Sequence, residues 1–310
     1  SLSVMFSLCG ANKDFSLNDV KPSLDFVSGS VENHQGRGQS GPPEIEPVLA
    51  WTIQTAGNVS MSDPLQEARS RRIHQILNTE SSYIQDGLAS IHSSRFMTDP
   101  AFADAYARGV KAAGKDYMWH WRVHLGLWAA SVAGRLPGEF VECGVNAGFM
   151  SSSIMQYLDW NRMEKTFYLL DTFSGIDERY LSEAERADLI VVENRDLLEA
   201  GFYVTDPAAV EKNFTQWKRV KIIQGSIPEI LPLVPAETIA FLHVDLNCAP
   251  PEAACVEFFW NRLTPGALVL LDDYAYFGYH HQKASMDELA SKLGVSIASI
   301  PTGQGLMIKP

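Results

Sequence analysis

The chain has 310 residues, of which 46% are hydrophobic and 20% are charged, a composition typical of a folded globular protein. The formal net charge of −12 argues against nucleic-acid binding, because a surface that binds phosphate backbones needs an excess of basic side chains. No apolar stretch approaches the roughly 20 residues of a membrane span. Residues 1–9 lack the basic start of a secretory signal, so a cytoplasmic protein is expected.

The sequence divides into three regions of different texture. Residues 1–60 show little periodicity and predict a poorly ordered extension that the chemistry does not need. Residues 61–137 place apolar side chains at helical spacing and predict a helical region, which begins at a capping Ser62 or Asp63. Residues 138–310 show the alternating strand and helix patterns of an α/β domain.

The helical region contains a strongly aromatic segment. Trp121, Leu125 and Trp128 share one helical face, and we expect that face to pack on a sheet. His120 and His124 lie four residues apart, a spacing that could place both imidazoles on one metal ion. The glutamate of an H-E-x-x-H zinc motif is missing, so polar-face histidines are the favoured interpretation.

After Gly138, short apolar runs alternate with helical stretches, which is the pattern of a parallel sheet covered on both faces. Each of the first five runs predicts a buried strand: Phe140–Gly144, Thr166–Asp171, Val220–Gly225, Ile239–Asp245 and Ala267–Asp273. Two final strands, at residues 295–301 and 306–309, are joined by a short Gly-rich link and predict an antiparallel hairpin.

The first predicted strand runs into a glycine-containing loop. Glu142 and Gly144 end the strand, and Gly148 opens a serine-rich helix. Glycines let the backbone pass close to a ligand, and the start of a helix offers free N–H groups. The loop lacks the G-x-G-x-x-G pattern of a dinucleotide site and instead resembles the first motif of S-adenosylmethionine-dependent methyltransferases. We predict that all three residues contact the cofactor.

The next two strand ends also predict cofactor contacts. Asp171 can accept hydrogen bonds from both ribose hydroxyls, while Phe173 offers a face to the adenine. A helix N-cap with a core phenylalanine is the alternative interpretation of this pair. Gly225 and Ser226 follow the third strand and could meet the adenine edge.

Three aspartates follow the fourth and fifth predicted strands. Asp245, Asp272 and Asp273 converge if these strands are parallel neighbours about 4.8 Å apart. Grouped carboxylates repel one another, so either raised pKa values or a bound cation must relieve the repulsion. Oxygen ligands select Mg²⁺ or another hard divalent cation. Protonated or solvent-separated aspartates remain the alternative.

The connection at residues 174–219 is longer than a usual strand-to-strand link. Inserts above the carboxyl ends of a sheet often act as lids over an acceptor, and this one could equally supply a dimer-contact helix. The aromatic helices before Gly138 could form a dimer face, and a homo-oligomer is expected.

The C-terminal part of the chain, from about Gly138 to Pro310, resembles the macrocin/mycinamicin sugar O-methyltransferase family, with novobiocin-type enzymes as relatives. The resemblance implies a class I methyltransferase fold, with a Rossmann-like α/β sheet, that binds S-adenosylmethionine and Mg²⁺ and methylates a sugar hydroxyl of a natural product. It also implies that Asp245, Asp272 and Asp273 hold the metal. The resemblance rests on five pieces of sequence: Phe140–Val145 with Gly148, Asp171–Gly175, Gly225 with the downstream run 227–231, Asp245, and Leu263–Tyr274.

One departure from the family pattern concerns the general base. The family commonly carries a second aspartate two residues after the first, whereas this chain has Asn247, and an amide cannot accept the proton. Asp245 as metal ligand and His281 as base are therefore the expected catalytic residues. A surface pair formed by His280 and His281 is the alternative for these histidines. Metal coordination could also acidify the acceptor hydroxyl enough for bulk water to take its proton.

The expected function is metal-assisted O-methylation of a small hydroxylated acceptor, in particular a glycoside. Two alternatives stay open from the sequence. Asn247 motivates a methyl-donor-binding protein without catalysis. A nicotinamide-dependent sugar-modifying oxidoreductase could use a similar sheet.

Overall fold

The computed structural model describes Ala68, residues 71–76 and residues 81–310. Residues 71–76 are helical. The predicted extension at residues 1–60 and the predicted helix cap at residues 62–63 lie outside the described residues. The sheet and the helices around it belong to one structural unit.

Strands form wherever the sequence predicted buried apolar runs. The strands of residues 81–310 are β1 (Tyr83–Gln85), β2 (Leu88–Ser90), β3 (Glu139–Cys143), β4 (Phe167–Asp171), β5 (Val220–Gln224), β6 (Ile239–Val244), β7 (Leu263–Leu271), β8 (Ala298–Ser299) and β9 (Gly305–Ile308). Seven of them build the central sheet in the order β5-β4-β3-β6-β7-β9-β8. The five strands from β5 to β7 in that order are parallel, and β9 pairs antiparallel with both β7 and β8.

Helices connect the strands and cover both faces of the sheet. Within residues 81–310 they are α1 (Pro100–Ala113), α2 (His120–Ala133), α3 (Phe149–Tyr157), α4 (Glu183–Arg186), α5 (Leu189–Glu199), α6 (Pro207–Phe214), α7 (Ala249–Phe259) and α8 (His280–Leu293). In the described part of the chain, no helix is long and apolar enough to cross a bilayer. The predicted α/β sheet with a C-terminal antiparallel hairpin is confirmed.

Two apolar layers hold the helices to the sheet. One layer packs α7 and α8 against strand residues such as Val141 and Leu242. The other packs α1, α2 and α3 against residues such as Phe140 and Phe241. Alternate side chains of one strand point to opposite faces, so β3 and β6 contribute to both layers. The parallel strands are therefore buried on both sides, and their carboxyl ends lie together at one edge.

Part of the predicted helical region is a β-hairpin. β1 and β2 pair antiparallel around Asp86 and Gly87, which have φ angles of +51° and +69°. An Asp-Gly pair favours this tight turn, because both central residues need positive φ. The prediction of helical structure is therefore wrong at residues 83–90, which form an antiparallel hairpin.

Helix α2 packs on the sheet through a different face from the one predicted. Trp128 is 47% exposed, while the neighbouring Leu127 is buried. A Cβ at Gly126 would lie only 2.5 Å from the sulfur of Met150, so the helix approaches α3 closely on its small-residue side. Close packing is made by the small side chains of α2, while of the predicted face Leu125 packs against the apolar layer and Trp128 does not.

The two histidines of this helix are packing residues. The ring of His120 stacks on Tyr106 with a centroid distance of 4.1 Å, and the ring of His124 stacks on Phe96 at 4.0 Å. Burial lowers the pKa of both imidazoles. Neither histidine belongs to a metal-ligand group among the described residues.

Candidate active site

The glycine loop after β3 has a backbone that only glycine fits at two positions. Gly144 has φ +88°, and a Cβ there would lie 1.6 Å from the carbonyl oxygen of Asp245. Gly148 has φ +82°, and its Cβ would lie 2.4 Å from the ring of Phe214. The loop therefore passes directly against the end of β6. Cofactor contacts of both glycines stay a prediction.

The Asp171 carboxylate holds the glycine loop in shape. It accepts hydrogen bonds from the backbone N–H groups of Val145 at 2.6 Å, Asn146 at 2.8 Å and Phe173 at 2.7 Å. The contact of Asp171 with a ribose stays a prediction. Phe173 is only 3% exposed and packs in the core, so it presents no open face to an adenine. For Phe173 the structure supports the alternative interpretation, a core phenylalanine.

The end of β5 is tied to both β4 and the insert. Gly225 donates its N–H to the carbonyl of Asp171 at 2.9 Å, and a Cβ on it would lie 2.4 Å from Ile230. Ser226 donates its hydroxyl to Asp177 at 2.6 Å. The predicted adenine contacts of Gly225 and Ser226 remain untested by this geometry.

Glu142 does not reach the cofactor loop. Its side chain is 2% exposed, and Oε1 lies 2.9 Å from Nδ1 of His243. The side chain points to the same face of the sheet as Phe140, because residues two apart in a strand share a face. The predicted cofactor contact of Glu142 is therefore not supported, and the residue instead forms a buried pair with His243.

The three aspartates after β6 and β7 converge as the sequence predicted. One carboxylate oxygen each of Asp245, Asp272 and Asp273 lies within 4.8 Å of the other two. Burial, and then the neighbouring charges of Asp272 and Asp273, raise the pKa of Asp245 well above its usual value. Burial raises the pKa of Asp273 to about 7, although Arg122 opposes that shift. Such mutual repulsion fits a site for a hard divalent cation.

Asp272 differs from the other two because it has partners. It accepts hydrogen bonds from Nη1 of Arg122 and, at 2.7 Å, from Nε2 of Gln304. Nε2 of His243 lies 3.6 Å away. Burial disfavours the charged form, but Arg122 and His243 outweigh it and hold the pKa of Asp272 well below its usual value. Burial alone would lower the pKa of His243, yet the neighbouring carboxylates of Asp272 and Glu142 raise it to about 10.

Arg122 links the aspartates to the N-terminal hairpin. Its Nε donates to Asp86 at 2.9 Å, its Nη1 lies 3.7 Å from Asp273, and its guanidinium stacks 4.1 Å from the ring centre of Tyr276. Sequence reasoning missed this residue, as it missed His243 and Gln304. No pattern in the sequence marks Arg122, because its burial on α2 is evident only in the folded structure.

Two tyrosines also lie close to the aspartates. Burial, followed by the charges of Asp245 and Asp273, raises the pKa of Tyr203 well above its usual value. Burial and Asp273 likewise raise the pKa of Tyr279, whose hydroxyl donates to Oδ1 of Asn247 at 2.7 Å. Both phenols are therefore protonated near neutral pH and act as hydrogen-bond donors at the site.

The insert lies over this edge of the sheet. Asn146 in the glycine loop accepts the N–H of Val204 at 2.9 Å, and its amide donates to the carbonyl of Phe202. Glu185 in α4 accepts the N–H of Ala249, the first residue of α7, at 2.6 Å. These contacts favour the lid interpretation of residues 174–219.

His281 contacts the insert. Its Nε2 lies 2.6 Å from Oδ2 of Asp188, and Nε2 of His280 lies 3.7 Å from the same oxygen. No described contact joins His281 to the three aspartates. Its role as general base stays a prediction that the geometry does not support.

Residues 109–296 match the family described as Macrocin-O-methyltransferase (TylF). The match spans more than half of the chain. This chain belongs to that family. It is an S-adenosylmethionine-dependent O-methyltransferase, and the oxidoreductase and non-catalytic alternatives are set aside.

The sequence identity to named relatives is low, but the alignments cover more than half of this chain. The chain is 22% identical over 203 residues to mycinamicin III 3''-O-methyltransferase of Micromonospora griseorubida, covering 59% of this chain and 75% of the relative. It is 21% identical over 224 residues to demethyldecarbamoylnovobiocin O-methyltransferase of Streptomyces niveus, covering 64% and 82%.

Solved structures share the fold. The O-methyltransferase NovP aligns with a TM-score of 0.55 at 19% identity, covering 70% of this chain and 99% of NovP. The calicheamicin methyltransferase CalS11 aligns with a TM-score of 0.52 at 15% identity, covering 80% and 94%. The predicted class I methyltransferase fold is confirmed.

Proposed function

We propose that this enzyme transfers a methyl group from S-adenosylmethionine to a sugar hydroxyl of a glycosylated natural product, with a hard divalent cation held by Asp245, Asp272 and Asp273. One observation carries the proposal. The backbone of Gly144 lies against the carbonyl of Asp245, so the glycine loop and the aspartates form one site. A donor bound at the loop would have its methyl group beside an acceptor at the carboxylates.

The names of relatives support the acceptor class. Besides the mycinamicin and novobiocin enzymes, the chain is 27% identical over 154 residues to a tetracenomycin rhamnosyl 4'-O-methyltransferase of Streptomyces olivaceus, covering 46% of this chain and 56% of that relative. The name of the tetracenomycin relative specifies a rhamnosyl compound, and all three names specify O-methylation. The net charge of −12 disfavours a polyanionic acceptor and suits a neutral or cationic glycoside.

The reaction is an in-line displacement, in which the acceptor oxygen bonds to the methyl carbon and the sulfonium sulfur leaves with the bonding electrons. The proton of the acceptor hydroxyl passes to solvent water. A bound Mg²⁺ would supply charge that orients the acceptor hydroxyl and lowers its pKa. The chain itself fixes the site: Asp171 holds the glycine loop, and Arg122 fixes Asp272. The hydroxyl protons of Tyr203 and Tyr279 are donated to Asn194 and Asn247, so the phenol oxygens can accept hydrogen bonds from hydroxyls of the acceptor.

The proposal predicts that Asp273→Asn loses methyl transfer while it keeps donor binding. Asp273 suits this test better than Asp272, since loss of the Asp272 charge would leave Arg122 and His243 unbalanced in a buried site. Transfer is measured by mass spectrometry on deoxysugar glycosides with and without EDTA, and binding of S-adenosylhomocysteine by calorimetry. We expect a loss of roughly 100-fold or more in kcat/KM. Full activity of Asp273→Asn, or full activity in EDTA, would contradict the role of the metal.

A further inference from the structure

A second group of metal-binding side chains lies where the insert meets α8. Asp188, His280 and His281 each place one ligand atom within 4.8 Å of the other two. Nε2 of His281 lies 2.6 Å and Nε2 of His280 lies 3.7 Å from the same oxygen, Oδ2 of Asp188. His280 is exposed and the other two are half-buried, so an ion can enter from solvent.

A single ion pair explains only part of this arrangement. It accounts for His281, but it gives no reason for His280 to aim at the same oxygen. The two imidazole centroids are 4.0 Å apart, and two protonated rings at that distance repel each other. Asp188 is the N-cap residue of α5, yet its side chain makes no capping bond to that helix and turns to the histidines instead.

A transition-metal ion would satisfy all three groups at once. Such an ion binds neutral imidazole nitrogens and a carboxylate oxygen, and three protein ligands with water in the remaining position are common for Zn²⁺. The ligand chemistry differs from that of the aspartate site, where every ligand atom is oxygen. The two sites therefore favour different ions.

We propose that Asp188, His280 and His281 form a site for a borderline transition metal such as Zn²⁺, separate from the aspartate site. As a metal ligand, His281 would not serve as the general base.

The proposed site joins two segments that both contribute to the active site. Asp188 directly precedes α5, whose Asn194 accepts the hydroxyl of Tyr203 at 2.5 Å. His280 and His281 begin α8, directly after Tyr279. A bound ion would therefore fix the insert, with Tyr203, over the aspartates.

The test measures Co²⁺ binding to the full chain, because Co²⁺ replaces Zn²⁺ and gives visible absorption that reports nitrogen ligands and coordination number. The background protein carries Asp245→Asn and Asp273→Asn, so that the aspartate site cannot contribute. We expect one Co²⁺ per chain in this background. His280→Ala should weaken Co²⁺ binding by roughly tenfold or more, and Asp188→Asn should also weaken it. His92→Ala is the matched control, since His92 is an exposed histidine whose described hydrogen bonds involve only its backbone, and it should change nothing.

A second readout monitors the insert itself. Saturating Zn²⁺ should slow proteolytic cleavage within residues 174–219 in the background protein and not in the His280→Ala variant. Absence of stoichiometric Co²⁺ binding, or equal affinity in the background protein and His280→Ala, would overturn the proposal. Neither readout needs donor or acceptor, so failure here is distinct from failure of the proposed methyl transfer.

Discussion

The three aspartates of the site are chemically unequal. Asp272 is balanced by Arg122 and His243, whereas Asp245 and Asp273 have raised pKa values in a buried setting. The charged forms of Asp245 and Asp273 are therefore less well compensated by the surrounding side chains than that of Asp272. A divalent cation would therefore be stabilised mainly by Asp245 and Asp273. Asp272 lies beside them as a carboxylate that is already charged.

This difference predicts a pH-dependent response to metal. The folded-state pKa of Asp273 is about 7, against an ordinary value of 3.8, so the folded protein holds a proton there that the unfolded chain releases. The stabilisation from this proton is fully present below pH 3.8 and is lost as the pH rises through about 7. A metal must displace the proton, so Mn²⁺ should raise the Tm more at pH 8 than at pH 6. Scanning calorimetry with and without Mn²⁺ measures the difference, which Asp273→Asn should abolish. An equal Tm increase at both pH values would be inconsistent with this view of Asp273.

Arg122 predicts a large effect on stability. Arg122→Gln removes the positive charge that faces the buried Asp86 and Asp272. Breaking a buried ion pair by removing one partner costs about 3–5 kcal/mol, because the remaining charge is uncompensated. Urea unfolding should show a loss of that size. The matched control is Arg162→Gln, whose exposed pair with Asp159 should leave the free energy of unfolding within experimental error. Equal effects of the two substitutions would count against a structural role for Arg122.

At the scale of elements, the sequence predicted the features that local periodicity determines. The five parallel strands are continuous apolar runs, and the position of Asp245, Asp272 and Asp273 at one edge results from parallel pairing. The hairpin at residues 83–90 was missed because its strands have only three residues each. Its Asp-Gly turn was the usable signal.

Long-range pairing was beyond local reasoning. Asp272 pairs with Arg122 in a helix 150 positions earlier and with Gln304, 32 positions later, directly before β9. The side chain of Glu142 is buried because it pairs with His243, which lies on the neighbouring strand β6 and on the same face of the sheet. No periodicity in one segment encodes the contacts of another, so these residues needed the folded structure.

The insert also makes a prediction at this scale. If it covers the acceptor, Tyr203→Phe should lower kcat/KM by roughly tenfold through loss of one hydrogen bond in a buried site, with S-adenosylhomocysteine affinity unchanged. Tyr180→Phe is the matched control, because that tyrosine lies in the same insert and pairs with the exposed Glu229. Steady-state kinetics on a deoxysugar glycoside decide the matter. Unchanged kinetics in Tyr203→Phe would exclude an acceptor contact for this hydroxyl.

At the scale of the whole molecule, one sheet edge brings together elements from distant parts of the chain. The glycine loop, the aspartates and the insert meet there through Gly144, Asn146 and Ala249. Membership of the macrocin O-methyltransferase family and the shared fold agree with this arrangement. The homo-oligomer and the cytoplasmic location stay predictions.

The central claim is that a hard cation binds between Asp245, Asp272 and Asp273 beside the methyl donor. Anomalous diffraction from crystals soaked with Mn²⁺ and S-adenosylhomocysteine tests it most directly. We expect an anomalous peak in contact with all three carboxylates and close to the donor sulfur. An empty position there, in crystals of a protein that transfers methyl groups under the same conditions, would contradict the account.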